Sequence, residues 1–368
     1  MKKLLVLAIT FIMLFSLVAC GSSSGKNSNY KIAMITDCGD VDDESFNQEI
    51  YSVVKEFSKN NNIKFTYYIP AADSTSDRVT MIDKAVEDGY NVIIVNGSLF
   101  GPAIAQIADE YKKIKFIAVD VSESDLDNYK LKDNVYCITF KEEIAGFMAG
   151  YAAVNMGYRH LSFLGGKDVP AVKRYGYGFV QGADLAASEN NKEVNIDFAY
   201  GNQFTGDEDI TNYVNTWFSH GTEVVFSCGG KIYTSAAEAA AKANGKVIGV
   251  DTDQSMSINK YAKDLTLTSA MKGINPILNK TLGDLFNNDK WSEYGGKIDN
   301  LGLVSDKNVE ENYLQLPLKT TLWNEKFTED NYKSLVKKIF DGKIEISNDV
   351  SKEPAVKKVK VDYQGNIK

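Results

Sequence analysis

From Tyr30 onward, short apolar runs alternate with longer segments whose apolar residues recur every three to four positions. The runs predict strands at Lys31–Thr36, Ile63–Ile69, Asn91–Val95, Ile114–Asp120 and Val135–Phe140. Between them lie predicted helices at Glu44–Lys59, Ser76–Asp88 and Pro102–Lys112. Phe46, Ile50, Val53, Val54 and Phe57 mark one face of the first helix. This order implies a parallel sheet covered on both faces. A second set follows: helices at Glu142–Asn155, Tyr175–Glu189, Asp207–Phe218, Tyr233–Ala243 and Ile274–Phe286. Its strands are His160–Leu164, Val194–Tyr200, Glu223–Ser227, Lys246–Asp251 and Leu265–Thr268. The chain thus reads as α/β, with two Rossmann-like lobes alike in architecture but not in residues. Beyond Gly295 the pattern weakens; a helix at Glu329–Phe340 is followed by a charged end, Ser351–Lys368, expected to fray.

Ahead of the pattern, Met1-Lys2-Lys3 opens an apolar run from Leu4 to Val18, closing on Leu17-Val18-Ala19-Cys20. A charged start, an apolar stretch too short to span a bilayer and a small residue before a cysteine read as a lipoprotein signal. Residues 1–19 are expected to be removed and Cys20 to carry lipid. Residues 20–29, rich in Gly, Ser and Asn, form a flexible tether. The protein is therefore expected at the cell membrane, lipid-anchored on its extracytoplasmic face. Capture of a solute is the leading reason to hold a large globular domain there.

At 368 residues, 44% hydrophobic and 24% charged, the chain has an ordinary folded composition and length for two domains. Its net charge of −8 argues against a nucleic-acid partner. Cys20, Cys38, Cys137 and Cys228 are widely spaced, and His160 and His220 are the only histidines. That is neither a disulfide scaffold nor a metal framework. Both histidines flank predicted strands, which favours packing or surface roles. No catalytic residue, metal or cofactor is expected.

In open α/β sheets ligands bind beyond the carboxyl ends of the strands. Asp37, Asn96-Gly97-Ser98 and Asp120 stand at such ends in the first set. Gly165-Gly166, Cys228-Gly229-Gly230, Asp251-Thr252-Asp253 and Thr268–Lys272 do so in the second. Any one of these could be a cap or turn residue; their recurrence is the signal. Two facing lobes would gather carboxylates, amides and backbone donors suited to a neutral, hydroxyl-rich solute.

The stretch Asp37-Cys38-Gly39-Asp40-Val41-Asp42-Asp43-Glu44 admits several readings. A calcium loop needs a central glycine and alternating oxygens, which are lacking. The metal-binding start of nucleoside hydrolases needs an acid at position 39 and an aspartate at position 44, where Gly39 and Glu44 stand. A plainer reading has Asp42 or Asp43 capping the next helix. Phe46 is then either core or a ring offered to a planar ligand.

Ile35-Thr-Asp-Cys-Gly-Asp-Val-Asp-Asp-Glu-Ser-Phe-Asn-Gln48 resembles the opening motif of the basic membrane protein family, bacterial lipoproteins related to the purine nucleoside receptor. Phe116–Asp120, Phe140–Ala153, Phe163–Gly166, Gly178–Gly182, Gly249–Gln254 and Thr268-Ser269 with Lys272 are similar too. The resemblance covers roughly 31–340 and departs at Ser227-Cys228 and Asn96–Phe100. It implies a type I periplasmic-binding-protein fold, with two Rossmann-like lobes joined by a hinge. Lobe one would be 30–137 plus about 270–312, lobe two 138–269 plus about 313–345, with 346–368 a charged tail. Carried over by motif, Asp37 and Asn47 would meet a purine edge and Phe46 would stack on the base. Asp120, Gly230, Asp251 and Lys272 would hold the ribose, and Phe204 would supply a second stacking ring. The implied protein is a non-enzymatic monomer that takes guanosine, inosine or adenosine and hands it to the permease and ATPase of an ABC importer. A sugar or other small polar metabolite, a sensing role, and a metal-dependent nucleoside hydrolase are the competing readings.

Overall fold

The computed structural model describes residues 30–367. The signal, Cys20 and the tether lie outside the described residues. In chain order the elements are β1 (Lys31–Ile35), α1 (Phe46–Asn60), β2 (Lys64–Tyr68), α2 (Thr75–Glu87), β3 (Val92–Asn96), α3 (Gly101–Ile107), β4 (Lys115–Val119), β5 (Val135–Phe140) and α4 (Glu142–Met156). They continue with β6 (His160–Gly165), α5 (Pro170–Glu189), β7 (Val194–Tyr200), α6 (Glu208–Ser219), β8 (Val224–Cys228), α7 (Tyr233–Ala243), β9 (Lys246–Asp251) and α8 (Ser255–Ile258). The last are β10 (Thr266–Lys272), α9 (Ile274–Asn288), β11 (Lys297–Leu301), β12 (Leu314–Gln315), α10 (Glu329–Phe340) and β13 (Val359–Asn366).

Two sheets result. The first runs β11-β5-β4-β3-β1-β2 and is parallel throughout. Its residues alternate faces, as the period of a strand requires. Ala33, Ile35, Ile93, Val95, Phe116 and Ala118 pack on one side with Ile82 of α2 and Ile104 of α3. Ile32, Met34, Val92, Ile94 and Val119 pack on the other with Val53 and Phe57 of α1 and Leu282 of α9. The second sheet runs β12-β10-β9-β8-β6-β7-β13, parallel except for β12.

The chain passes between the lobes at Lys141, at Gly273 and over residues 302–313. These passages are tied together: the Lys141 amide donates to Leu301 O, Gly273 to Tyr313 O at 2.6 Å, and Tyr313 to Gly302 O at 3.3 Å. Three adjacent, hydrogen-bonded passages make a hinge rather than a loose linker.

The spine of the second lobe is the α4–α5 pair. Nearly every side chain of α4 is buried. A methyl placed on Gly146 or Gly150 would lie 2.0 or 2.1 Å from the carbonyl oxygens of Tyr175 and Phe179. One on Gly178 or Gly182 would lie 2.1 or 2.0 Å from those of Glu143 and Phe147. Glycines four residues apart on both helices thus let the backbones touch, and this fixes Glu142 and Tyr175 beneath the cleft.

Three departures from the sequence reading matter most for the fold. Helix α5 begins at Pro170 rather than Tyr175; proline suits a first helical turn, where its missing N–H costs nothing. Strand β10 continues to Lys272 rather than ending at Thr268, because β9 and β12 flank it. The charged end does not fray: β13 pairs in parallel with β7, and Tyr363 packs 5.1 Å from Phe198. One oxygen of Asp184 accepts from the amides of Lys357, Lys358 and Val359. Lys-Val-Lys-Val-Asp-Tyr is an alternating strand whose polar face masks its pattern. It also covers an edge that β7 would otherwise expose.

Candidate functional site

The turn from β1 into α1 supplies one wall of the interlobe cleft. Ser45 takes the N-cap position, but Asp43 does the capping. Its carboxylate accepts from the amides of Ser45 (2.9 Å), Asn47 (3.0 Å) and Gln48 (3.0 Å). Burial raises the Asp43 carboxyl to about 6, although these amides pull it down. With the helix start fixed, Phe46 and Asn47 project from the first turn. The Asn47 amide nitrogen donates to Asp43 (3.2 Å) and Asp37 (3.4 Å), while its oxygen accepts from Asn96 at 2.9 Å. Gly97, at φ 98°, sits where a methyl would be 2.9 Å from the Asp37 carboxylate.

The acids of this stretch do not converge on a metal. Asp37 faces Asn47 and Asp43 caps the helix, whereas Asp42 and Glu44 point to the second lobe.

The opposite wall comes from strand ends of the second sheet. Asp251 closes β9, and Asp120 follows β4 in the first sheet; both adopt left-handed backbone, φ 64° and 61°. Aspartate tolerates that conformation better than most residues. Lys272, at the end of β10, lies between them. Its Nζ is 2.5 Å from Asp120 Oδ2, 3.4 Å from Asp251 Oδ1 and 3.8 Å from Glu142 Oε1. Arg174 Nε meets the other Glu142 oxygen at 2.6 Å. The lysine side chain is only 3% exposed, and the three carboxylates are as deeply buried.

Three carboxylates thus share two cations. Burial pushes Asp120 up to about 7, with Lys272 drawing it down and Glu142 and Asp251 pushing it up. Burial alone would lower Lys272, but Asp120, Asp251 and Glu142 together hold it above its ordinary value. Among the described residues, Asp120 Oδ1 and Glu142 Oε1 have no hydrogen-bond partner. A buried acceptor without a donor is costly.

Phe46 and Phe204 come to the cleft from different lobes. Lys272 Nζ sits 4.4 Å from the Phe46 ring centroid. Phe204 lies in the loop after β7, on a bed of glycine: methyls on Gly166 and Gly229 would be 2.4 and 2.8 Å from its ring. These glycines, ordinary turn formers in sequence, leave room for an aromatic side chain. Gly230, at φ 53°, lines the cleft beside them.

All eight residues named from sequence, Asp37, Phe46, Asn47, Asp120, Phe204, Gly230, Asp251 and Lys272, line this one cleft. It encloses about 600 Å³, counting its open mouth. Sequence reasoning missed Tyr175, whose hydroxyl donates to Asp251 Oδ1 at 3.4 Å, and Ser45, which donates to Asp251 Oδ2 at 2.8 Å. Ser45 stood inside the opening motif, so the signal was present; Tyr175 had none, since its place depends on the α4–α5 contact. Cys38, Cys137 and Cys228 are free thiols. His160 pairs with Asp197 at 3.1 Å, away from the cleft.

Two lobes with sheets of this topology and a cleft between them define the class: an α/β periplasmic-binding-protein-like fold. Residues 30–349 match the family described as "Bmp: ABC transporter substrate-binding protein PnrA-like", and the chain belongs to that family. It is 28% identical over 334 residues to the "CD4+ T-cell-stimulating antigen" of Listeria innocua, covering 82% of this chain and 90% of that one. It is 28% identical over 299 residues to the "ABC transporter nucleoside-binding protein BmpA" of Lactococcus lactis, covering 76% and 81%. In three dimensions it is similar to an ABC transporter solute-binding protein of Aeropyrum pernix, with TM-score 0.67, 18% identity and 87% and 88% coverage. The protein is thus a non-catalytic, lipid-anchored, extracytoplasmic component of ABC transport that binds a small polar metabolite.

Proposed function

We propose that the metabolite is a purine nucleoside, held in the cleft and delivered to the permease and ATPase of an importer. The observation that carries this reading is the pair of phenyl rings, Phe46 and Phe204, brought from different lobes to one cleft that also holds the Asp120–Asp251–Lys272 cluster. A purine offers two π faces, and aromatic rings reward both. In this reading the base lies between the rings with its edge toward Asp37 and Asn47. Asp37 accepts from a ring N–H or exocyclic amine. The ribose hydroxyls donate to Asp251 and to the unpartnered oxygen of Asp120, and Lys272 donates to a hydroxyl. Closure about the hinge sequesters the ligand, and the closed form is what the permease reads. The nucleoside-binding relative from Lactococcus lactis supports the same choice.

The carboxylate–lysine cluster by itself would suit the hydroxyls of a free sugar, which is the second reading. Calorimetry with guanosine, inosine, adenosine, the free bases and ribose separates the two. Binding of a nucleoside with no heat from ribose supports the proposal. Binding of ribose with equal affinity would remove the base, and with it the role given to the rings.

A further inference from the structure

Among the described residues, four ion pairs run across the cleft from one lobe to the other. Asp42 meets Lys231 at 2.6 Å, Glu44 meets Lys260 at 3.2 Å, Asp73 meets Lys167, and Asp120 meets Lys272 at 2.5 Å. In each, the acid belongs to the first lobe and the lysine to the second. Asp120–Lys272 is buried among the residues given to the solute. The other three stand on the rim, with side chains between 23% and 69% exposed. Neutral contacts reinforce them: Tyr233 donates its hydroxyl to Glu44, and the Gln254 side chain donates to Glu44 O at 3.0 Å. Glu44 itself turns on left-handed backbone, φ 52°, which aims it across the gap.

We propose that the rims are charge-sorted, acidic on the first lobe and basic on the second, so that the lobes attract each other and closure is electrostatically assisted before any solute bridges them. Resting on the reading of the cleft as a solute trap, this has a consequence that direct contact with solute does not. An uncharged ligand has no charge of its own for salt to screen. Its affinity nevertheless becomes salt-dependent, because binding draws on a closure that salt weakens. The sorting also favours the correct closed register: a shifted closure brings acids or lysines to surfaces that do not complement them.

The test uses the mature chain from Cys20 onward with Cys20→Ser, which retains every described residue without lipid. Salt is raised from about 20 mM to about 500 mM, shortening the screening length from roughly 20 Å to roughly 4 Å. Small-angle scattering of the ligand-free protein is expected to show the radius of gyration rising with salt. The dissociation constant for guanosine is expected to weaken by about three- to tenfold, as three exposed pairs are screened. Lys167→Gln/Lys231→Gln/Lys260→Gln is expected to be open at low salt and to have lost both responses, with its thermal midpoint showing that it folds. Asp42→Lys combined with Lys231→Asp restores one pair in reverse and keeps the closed dimensions. A radius independent of salt in the unmutated chain, or a triple variant that keeps the full response, overturns the proposal. The scattering needs no ligand. A protein that opens with salt yet binds none of guanosine, inosine and adenosine would sink the nucleoside reading and leave the charge-sorted rims standing.

Discussion

Lys272 and Asp120 are 152 positions apart and stand at strand ends of different sheets, yet the lysine Nζ lies 2.5 Å from the aspartate Oδ2. Asp120 follows the end of β4 and Lys272 closes β10, both at the cleft, so the pair joins the lobes at the floor of the candidate site.

Removing the lysine leaves Asp120, Asp251 and Glu142 facing one another with only Arg174 for compensation. Breaking a buried pair from one side costs about 3–5 kcal/mol, because the uncompensated charge remains. Lys272→Met is expected to lower unfolding stability by that order, read by urea denaturation at neutral pH. Loss below about 1 kcal/mol would mean that the carboxylates are solvated or protonated without it.

Phe46→Ala and Phe204→Ala are each expected to weaken guanosine binding by about 1–3 kcal/mol, the usual loss when a base-stacking ring is truncated. Calorimetry at constant salt reads it. Neither ring packs in the deep core, so the thermal midpoint of the free protein should change little. Unchanged affinity for either variant would take that ring out of the site.

Asp43 and Asp120 have folded values raised to about 6 and about 7, against an ordinary aspartate near 3.8. Between the unfolded and folded values the native state holds more protons than the unfolded state. Stability should therefore decline as pH rises from about 4 to about 7, and level off above. For Asp43 the contribution is on the order of 3 kcal/mol. Asp43→Asn is expected to flatten the lower part of that slope in denaturation curves taken at half-unit steps. A midpoint that climbs steadily from pH 4 to 7 would contradict the assignment.

Gly178→Ala puts a methyl 2.1 Å from Glu143 O, where only backbone can give way. Overpacking of this kind costs about 1–3 kcal/mol or more. The same change at Gly283, which has nothing within 4 Å of the added methyl, serves as the control. Gly283→Ala is expected to leave stability unchanged or raise it slightly, since it lies inside helix α9. Equal effects at the two sites would argue against the close α4–α5 contact.

The alternation of apolar runs and amphipathic segments was enough to reveal two parallel α/β lobes. That is because a buried strand and a half-buried helix each impose a period on the chain where they occur. Strand ends could likewise be read locally, and the rule that ligands gather beyond them pointed at Asp37, Asp120 and Asp251 before any coordinates. The strand-end rule reached Gly230 and Lys272 too, and the family resemblance added Asn47 and Phe204 and gave Phe46 its stacking role. What the sequence could not decide depends on pairs with no local period. Ser45 reaches Asp251 over 206 positions. Phe204 rests on Gly166 and Gly229 from two other strand ends. Glu142 and Tyr175 reach the cleft floor because four glycines let two helices touch. Strand β13 forms because β7 offers it an edge. In each case the residue type permits the contact, but only the packing of distant segments selects the partner, since that choice lowers the energy of the whole lobe rather than of any one stretch of chain.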